Sequence, residues 1–164
     1  MSEMIRIGQG FDAHRFCEAS DDRPLVIGGV VIPHDRGLLA HSDGDVAIHA
    51  LCDALLGAAG LPDIGHFFPD TDQRYKGVDS TELLAKVVAE LEEAGWQIEN
   101  VDLTIIAQAP KISPWITDMK KSLADLLRVS SMAVGVKATT SEGMGFTGRA
   151  EGIATLAVAL LTRN

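Results

Sequence analysis

Ser42-Asp43-Gly44-Asp45 stands directly before an apolar-periodic run, Val46 to Ala59, and the run stops on Gly57 to Gly60. Such a beginning and end belong to a helix. A short oxygen-bearing side chain accepts the orphan N–H groups of the first turn, and glycine takes the left-handed conformation that satisfies the last carbonyls. The spacing predicts a helix over 44–58, capped by Ser42 or Asp43. Val46, Leu51 and Leu55 lie on its apolar face. Asp45, His49 and Asp53, four residues apart, form a polar stripe on another.

The flanking segments alternate between strand and helix patterns. Ile5 to Phe11 alternates apolar with small or polar residues, which predicts a strand over Met4–Phe11 with Asp12-Ala13-His14 at its C-terminal end. Leu25 to Ile32 reads as a second strand, interrupted by Gly28-Gly29, a pair that permits a hairpin or bulge. Leu61 to Val78 has no period and contains Pro62, Gly65, Pro69 and Gly77; it reads as one long loop, and long ordered loops are usually functional. Asp79-Ser80-Thr81-Glu82 opens a helix that runs to Ala94. Ile98 to Gln108 is a strand with Val101, Leu103 and Ile105 on one face. Trp115 to Leu127 is a third helix, Val134 to Ala138 a short strand, and Gly143 to Gly152 a glycine-rich turn. Alanine and leucine in Ile153 to Thr162 suit a helix, while its alternation and Val/Thr content suit a strand and predict one. This order predicts an α+β fold, a mixed β-sheet with helices packed mainly on one face, in a single domain over 1–164.

A chain of 164 residues can bury a core without disulfides. Cys17 and Cys52 make no CxxC pair and read as free thiols in a reducing cytosol, so a cytoplasmic location is expected. Met1-Ser2-Glu3-Met4 lacks a basic and an apolar region, and no apolar run reaches about 18 residues; neither a signal peptide nor a membrane span is expected. The formal net charge of −9 weighs against a nucleic-acid or anionic-membrane partner, which needs a basic footprint. It leaves room for a small phosphorylated ligand held by metal ions and backbone N–H groups.

Four groups of residues can carry chemistry. Asp12 and His14, two apart along a strand, project to the same side and can ligate a divalent transition metal; on spacing alone a surface Asp and His after a strand is the better fit. His49 would complete a set of three N/O ligands with one position open, the pattern of catalytic zinc. Asp45 and Asp53 are then the carboxylates expected to orient it. His41 and Ser42 precede the 44–58 helix, where free N–H groups, the helix dipole, a hydroxyl and an imidazole suit phosphate. Thr139-Thr140-Ser141-Glu142 leaves a strand for the glycine-rich turn and suits a phosphate with Mg2+ on Glu142, or equally a polar turn with a capping acid. Ala107-Gln108-Ala109-Pro110-Lys111 suits a tight backbone pocket for a flat base, with Lys111 toward phosphates.

Seven blocks then occur in one order: Gly10-Phe11-Asp12-Ala13-His14, Leu38-Leu39-Ala40-His41-Ser42-Asp43-Gly44-Asp45, Asp63-Ile64-Gly65, Phe68-Pro69-Asp70-Thr71-Asp72, Ala107-Gln108-Ala109-Pro110-Lys111, Lys137-Ala138-Thr139-Thr140 and Gly145-Phe146-Thr147-Gly148-Arg149. Together they resemble the 2-C-methyl-D-erythritol 2,4-cyclodiphosphate synthase family of the non-mevalonate isoprenoid pathway, over essentially the whole chain from Met4 onward. The resemblance implies a phosphorus–oxygen lyase. Its substrate would be 4-diphosphocytidyl-2-C-methyl-D-erythritol 2-phosphate, whose 2-phosphate attacks the β-phosphorus, expels CMP and closes a cyclic diphosphate. The same resemblance implies a homotrimer with active sites between neighbouring subunits. Asp12, His14 and His49 would be Zn2+ ligands, Glu142 would hold Mg2+ or Mn2+, and His41 and Thr140 would stabilise the transition state. Ser42 would bind the methylerythritol phosphate end. Asp63, Ile64 and Gly65 would meet the ribose and sugar region, and Phe68, Pro69, Asp70, Thr71 and Asp72 would cover the methylerythritol moiety. Ala107, Gln108, Ala109, Pro110, Lys111, Ile112 and Ser113 would form the cytosine pocket, with Thr139, Ser141, Phe146 and Arg149 as further substrate contacts. Cys17 to Arg23 belongs to none of the blocks, and no function attaches to it.

On the residues alone two other classes stay open. A metal-dependent phosphoesterase with the same Asp/His/His set would hydrolyse its substrate with water. A trimeric nucleotide sensor would bind nucleotide without needing zinc.

Overall fold

The computed structural model describes residues 4–164; the reading of the first residues as lacking a signal peptide falls largely on Met1 to Glu3, outside the described residues. The strands are β1 (Met4–Arg15), β2 (Leu25–Ile27), β3 (Val30–Ile32), β4 (Gln97–Ile106), β5 (Val134–Thr139) and β6 (Gly152–Arg163). The helices are α1 (Val46–Ala59), α2 (Ile64–Phe67), α3 (Ser80–Glu93), α4 (Ile116–Leu127) and α5 (Gly145–Gly148). Four strands form a mixed sheet in the order β1-β6-β4-β5, with β6 antiparallel to both β1 and β4, and β4 parallel to β5. The α+β architecture read from the sequence is therefore present. The ambiguous tail is strand β6, because alternate residues Ile153, Thr155, Ala157, Ala159 and Leu161 are buried while Leu156 and Val158 face outward.

The join between α1 and β1 rests on small residues. Gly8 and Gly10 of β1 point at α1, where Ala50, Ala54 and Ala58 recur every fourth residue. A Cβ on Gly8 would lie 1.9 Å from the Ala54 carbonyl oxygen, and one on Gly10 would lie 1.9 Å from that of Ala50. Backbone thus meets backbone across this contact. The opposite side of α1 sends Ile48, Leu51, Leu55 and Leu56 into a continuous core with Leu84, Leu91, Leu103 and Ile105.

Several local expectations change. β1 continues to Arg15, so Asp12 and His14 lie inside a paired strand, opposite Thr155 and Ile153, and not beyond its end. The N-cap of α1 is Asp45, not Ser42 or Asp43. Its carboxylate accepts from Ile48 N–H at 3.0 Å, and also from Gly28 N–H at 2.9 Å and Gly29 N–H at 2.7 Å. Gly28 and Gly29 both have positive φ, 62° and 74°, as a two-residue hairpin turn demands. The interrupted second strand is thus the β2–β3 hairpin, tied by its turn to the start of α1. Residues 61–78 hold α2 and a 3-10 turn at Gln73–Tyr75, capped by Asp63 and Asp72. Within the glycine-rich stretch lies α5. Among the described residues, no helix is long and apolar enough to cross a membrane.

Candidate metal centre and cleft

Strand parity and one helix register build the centre. Even-numbered residues of β1 face α1, so Asp12 and His14 follow Gly8 and Gly10 on that side, and His49 leans out of the first turns of α1 to meet them. His14 Nε2 lies 2.8 Å from Asp12 Oδ2 and 3.0 Å from His49 Nδ1, and His49 Nδ1 lies 3.2 Å from Asp12 Oδ2. Ligands about 2.1 Å from a tetrahedral metal stand about 3.4 Å apart. The triangle of two imidazole nitrogens and one carboxylate oxygen is therefore close to the face of such a site, and these three residues form a group able to hold a metal ion. Burial works against ionised Asp12, but hydrogen bonds and charge from His14 and His49 outweigh it and hold its carboxyl well below the usual range. Burial also acts to lower His49, yet Asp12 outweighs it and raises the imidazole above its ordinary value.

The support for His49 differs from the polar stripe read in the sequence. Asp45 is fully buried and spends its carboxylate on backbone N–H groups; burial pushes it up to about 6 against the pull of Gly29, Ile48 and Gly28. Asp53 accepts from Ile64 N–H at 2.8 Å. Neither touches the imidazole. His49 Nε2 instead meets Ser80 Oγ at 2.9 Å and Ser42 Oγ at 3.2 Å, and the Ser80 hydroxyl donates in turn to Asp43. Asp43 also accepts from Ser80 N–H at 3.0 Å. With Nε2–H donating along this chain, Nδ1 keeps its lone pair for a metal. Ser80 was legible only as a helix opener, because nothing local marks its contact with a residue 31 positions away. Ser80→Ala is expected to weaken binding of a divalent transition metal by about 10–100-fold, as loss of a ligand's hydrogen-bond partner does. Chelator competition measures it, and unchanged affinity would remove Ser80 from the site.

A cleft of about 380 Å³ opens beside the triangle, lined by Asp12, His14, Ala40, His41, Ser42, His49, Asp53, Ile64, Gly65, Phe68, Asp70 and Tyr75, among others. His41 Nε2 stands 3.3 Å from the Asp72 carbonyl oxygen. Near Ser42 the Gly44 N–H donates to Ser42 Oγ at 3.3 Å, the Asp45 N–H to Asp43 Oδ1 at 3.1 Å, and the Ile48 N–H to Asp45 Oδ1 at 3.0 Å. Asp63 caps α2 through His66 N–H. Asp72 pairs with exposed Arg74, whose hydrogen bonds lower its carboxyl, and Asp72 N–H bonds the Pro69 carbonyl, closing a turn around Asp70 and Thr71. Phe68 packs edge-on against Tyr75, with ring centroids 5.2 Å apart.

The remaining predicted residues lie elsewhere. Ala107 to Ser113 follows β4, and Thr139 to Glu142 ends β5; the two segments adjoin through Ala107 N–H to Thr139 O at 3.0 Å. None of them, nor Phe146 or Arg149, lines the cleft. Asp12 pairs with Thr155, Thr155 with Ile105, and Ile105 with Ala138. Three strand spacings, about 14 Å, therefore separate the Asp12 edge of the sheet from the β5 edge. Within this second group Gln108, Ala109, Lys111, Ser113, Thr139, Thr140 and Glu142 are exposed, whereas the Ile112 side chain is buried in the core, leaving only its backbone for a ligand. The Ser141 hydroxyl is engaged by Met144 O at 2.6 Å and Thr147 Oγ1 at 2.7 Å, and Arg149 pairs with Glu151. Glu142 has a positive φ of 54° and holds its carboxylate at the tip of the turn.

Fold and site together define an α+β protein with a three-ligand Asp/His/His centre of metal-binding type in a cleft between strand and helix. The chain belongs to the YgbB family, whose model matches residues 5–162. It is 62% identical over 157 residues to the 2-C-methyl-D-erythritol 2,4-cyclodiphosphate synthase of Azotobacter vinelandii, covering 96% of this chain and 98% of that one. Among solved structures it resembles the bifunctional IspDF of Campylobacter jejuni, with TM-score 0.94 and 44% identity, covering 99% of this chain; it spans 43% of the length of that protein. The IspF–CDP complex of Plasmodium falciparum matches with TM-score 0.84 and 34% identity, over 98% of this chain and 97% of that one.

Proposed function

We propose that the chain converts 4-diphosphocytidyl-2-C-methyl-D-erythritol 2-phosphate to 2-C-methyl-D-erythritol 2,4-cyclodiphosphate with release of CMP, a lyase step in isoprenoid biosynthesis by the non-mevalonate route. The observation that carries it is the Asp12/His14/His49 triangle facing an open cleft, in a chain whose relatives bear that activity in their names. An oxygen of the substrate's own 2-phosphate forms the new bond to the β-phosphorus. The bond from that phosphorus to the bridging oxygen breaks, and CMP leaves with the electron pair. Because the substrate brings its own nucleophile, no covalent residue is needed. The protein's task is to hold attacking and leaving oxygens in line, which is worth on the order of 7–11 kcal/mol.

Asp12, His14 and His49 would hold Zn2+, and Glu142 Mg2+ or Mn2+; when bound, these ions supply charge neutralisation at the phosphates. His41, on the cleft wall, would with Thr140 stabilise the transition state, and Ser42 beside it would offer a hydroxyl to the methylerythritol phosphate end. Ile64, Gly65, Phe68 and Asp70 line the sugar side, with Asp63, Pro69, Thr71 and Asp72 shaping that wall. Ala107 to Ser113 offers a base pocket, and Thr139, Thr140 and Ser141 stand with Glu142, Phe146 and Arg149 on the phosphate side.

The two groups of residues stand at opposite edges of one chain's sheet, about 14 Å apart, and a homotrimer with each site between neighbours would set one subunit's cleft beside the other group of its neighbour. A second feature agrees. The sheet face turned away from α1 exposes Ile5 at 60%, Ile7 at 70% and Phe11 at 53%, beside Leu156 and Val158. An apolar patch of this kind marks an interface. The buried, unpaired thiols of Cys17 and Cys52 suit a reducing compartment, and the cytoplasm is the proposed location.

Subunit mixing tests the shared site. His49→Ala and Glu142→Ala are each expected to be inactive alone. Co-refolded, they should regain activity, because some interfaces then join an intact Asp12/His14/His49 centre to an intact Glu142. No recovery in mixed oligomers would contradict a site built from two subunits.

A further inference from the structure

The segment from Gly37 to Gly44 carries His41 and Ser42 but lies in no helix or extended ladder, so its backbone groups need partners from outside. Leu39 N–H donates to Arg15 O at 2.8 Å, Gly77 N–H donates to His41 O at 2.7 Å, and Asp43 N–H donates to Val78 O at 3.1 Å. The carbonyls at alternate positions, Leu38, Ala40 and Ser42, all accept from one side chain. Arg23 Nη1 donates to Leu38 O at 3.1 Å and to Ser42 O at 2.8 Å, and its Nη2 donates to Ala40 O at 3.1 Å. The residue is half-buried, and among the described residues no carboxylate pairs with it.

Two glycines let the segment close around this guanidinium. A Cβ on Gly37 would stand 2.7 Å from Arg23 Cγ. Gly44, with a φ of +80° that disfavours other residues, passes over the Leu38 carbonyl, where a Cβ would lie 2.7 Å from the oxygen. Arginine suits the task because its charge is permanent and its five N–H donors lie in a rigid planar fork, so one group can bind three carbonyls at fixed angles. Lysine offers a point charge without that geometry.

We propose that Arg23 is a positioning residue for the cleft: by clamping the carbonyls on either side of His41 and Ser42 it sets where the imidazole and the hydroxyl stand. Arg23 does not line the cleft and acts only through these two residues. The proposal rests on the proposed reaction insofar as His41 and Ser42 meet the substrate.

Arg23→Ala and Arg23→Lys are compared with the wild-type chain by steady-state CMP release, chelator competition for zinc, and hydrogen–deuterium exchange over residues 37–44. For Arg23→Ala, kcat should fall on the order of 100-fold, as displacement of about 1 Å at a reacting centre does. Exchange in 37–44 should quicken, zinc affinity should stay near the wild-type value, and millimolar guanidinium should restore part of kcat. Arg23→Lys should remain impaired. Wild-type kcat and exchange in Arg23→Ala would overturn the proposal, as would a loss of kcat that only tracks the unfolded fraction by circular dichroism. If the wild-type chain releases no CMP, the reaction reading fails, and exchange over 37–44 still decides whether Arg23 anchors the segment.

Discussion

His49→Ala is expected to abolish stoichiometric metal binding and, with it, turnover. The substitution removes the only ligand that α1 contributes, leaving Asp12 and His14 on β1 as a two-point site. The loss should exceed the about 10–100-fold that removal of a supporting hydrogen bond costs. The fold should survive, because α1 is held by its apolar faces and by the Asp45 cap, neither of which involves the imidazole. Elemental analysis of the purified variant, with circular dichroism to establish folding, checks both parts. A folded His49→Ala protein that retains one bound metal per chain would refute the ligand assignment.

Gly8→Ala is expected to destabilise the fold strongly. The new Cβ would stand 1.9 Å from Ala54 O and 2.4 Å from Ala58 N. Both are backbone atoms of a helix, so they cannot swing aside; β1 and α1 must separate. Overpacking of a well-filled core costs about 1–3 kcal/mol when side chains can adjust, and here the atoms met are helix backbone. The melting temperature should fall by on the order of 10 °C or more. Gly57→Ala is the matched control. It lies on the exposed side of the same helix, with nothing within 4 Å of an added Cβ, and should stabilise by up to about 1 kcal/mol through helix propensity. Equal melting temperatures for the two variants would show that α1 does not pack on β1 as closely as described.

The sequence made the elements legible wherever one period dominated. α1, α3 and β4 lie where apolar spacing puts them, and β6 follows its alternation despite a helix-favouring content. Residues governed by distant partners were harder to read. Asp45 has the four-residue spacing of a helix stripe, but as the N-cap it points into the β2–β3 turn, and local spacing carries no sign of Gly28 and Gly29. Asp12, His14 and His49 were legible as ligand types, yet only the Gly8/Gly10 contact with Ala50, Ala54 and Ala58 makes strand and helix approach closely enough for them to meet. The site roles of Ser80 and Arg23 were not legible. Each acts on groups brought near by the fold, one on an imidazole and one on three carbonyls, and a hydroxyl at a helix start or an arginine in an acidic loop has many commoner roles.

Phosphorus NMR of the metal-loaded chain with 4-diphosphocytidyl-2-C-methyl-D-erythritol 2-phosphate and Mg2+ tests the proposed reaction most directly. The substrate signals should give way to CMP and a cyclic diphosphate. CMP accompanied only by linear phosphates would mean that water, and not the 2-phosphate, attacks in this cleft. An unchanged spectrum with metal bound would contradict the assigned substrate.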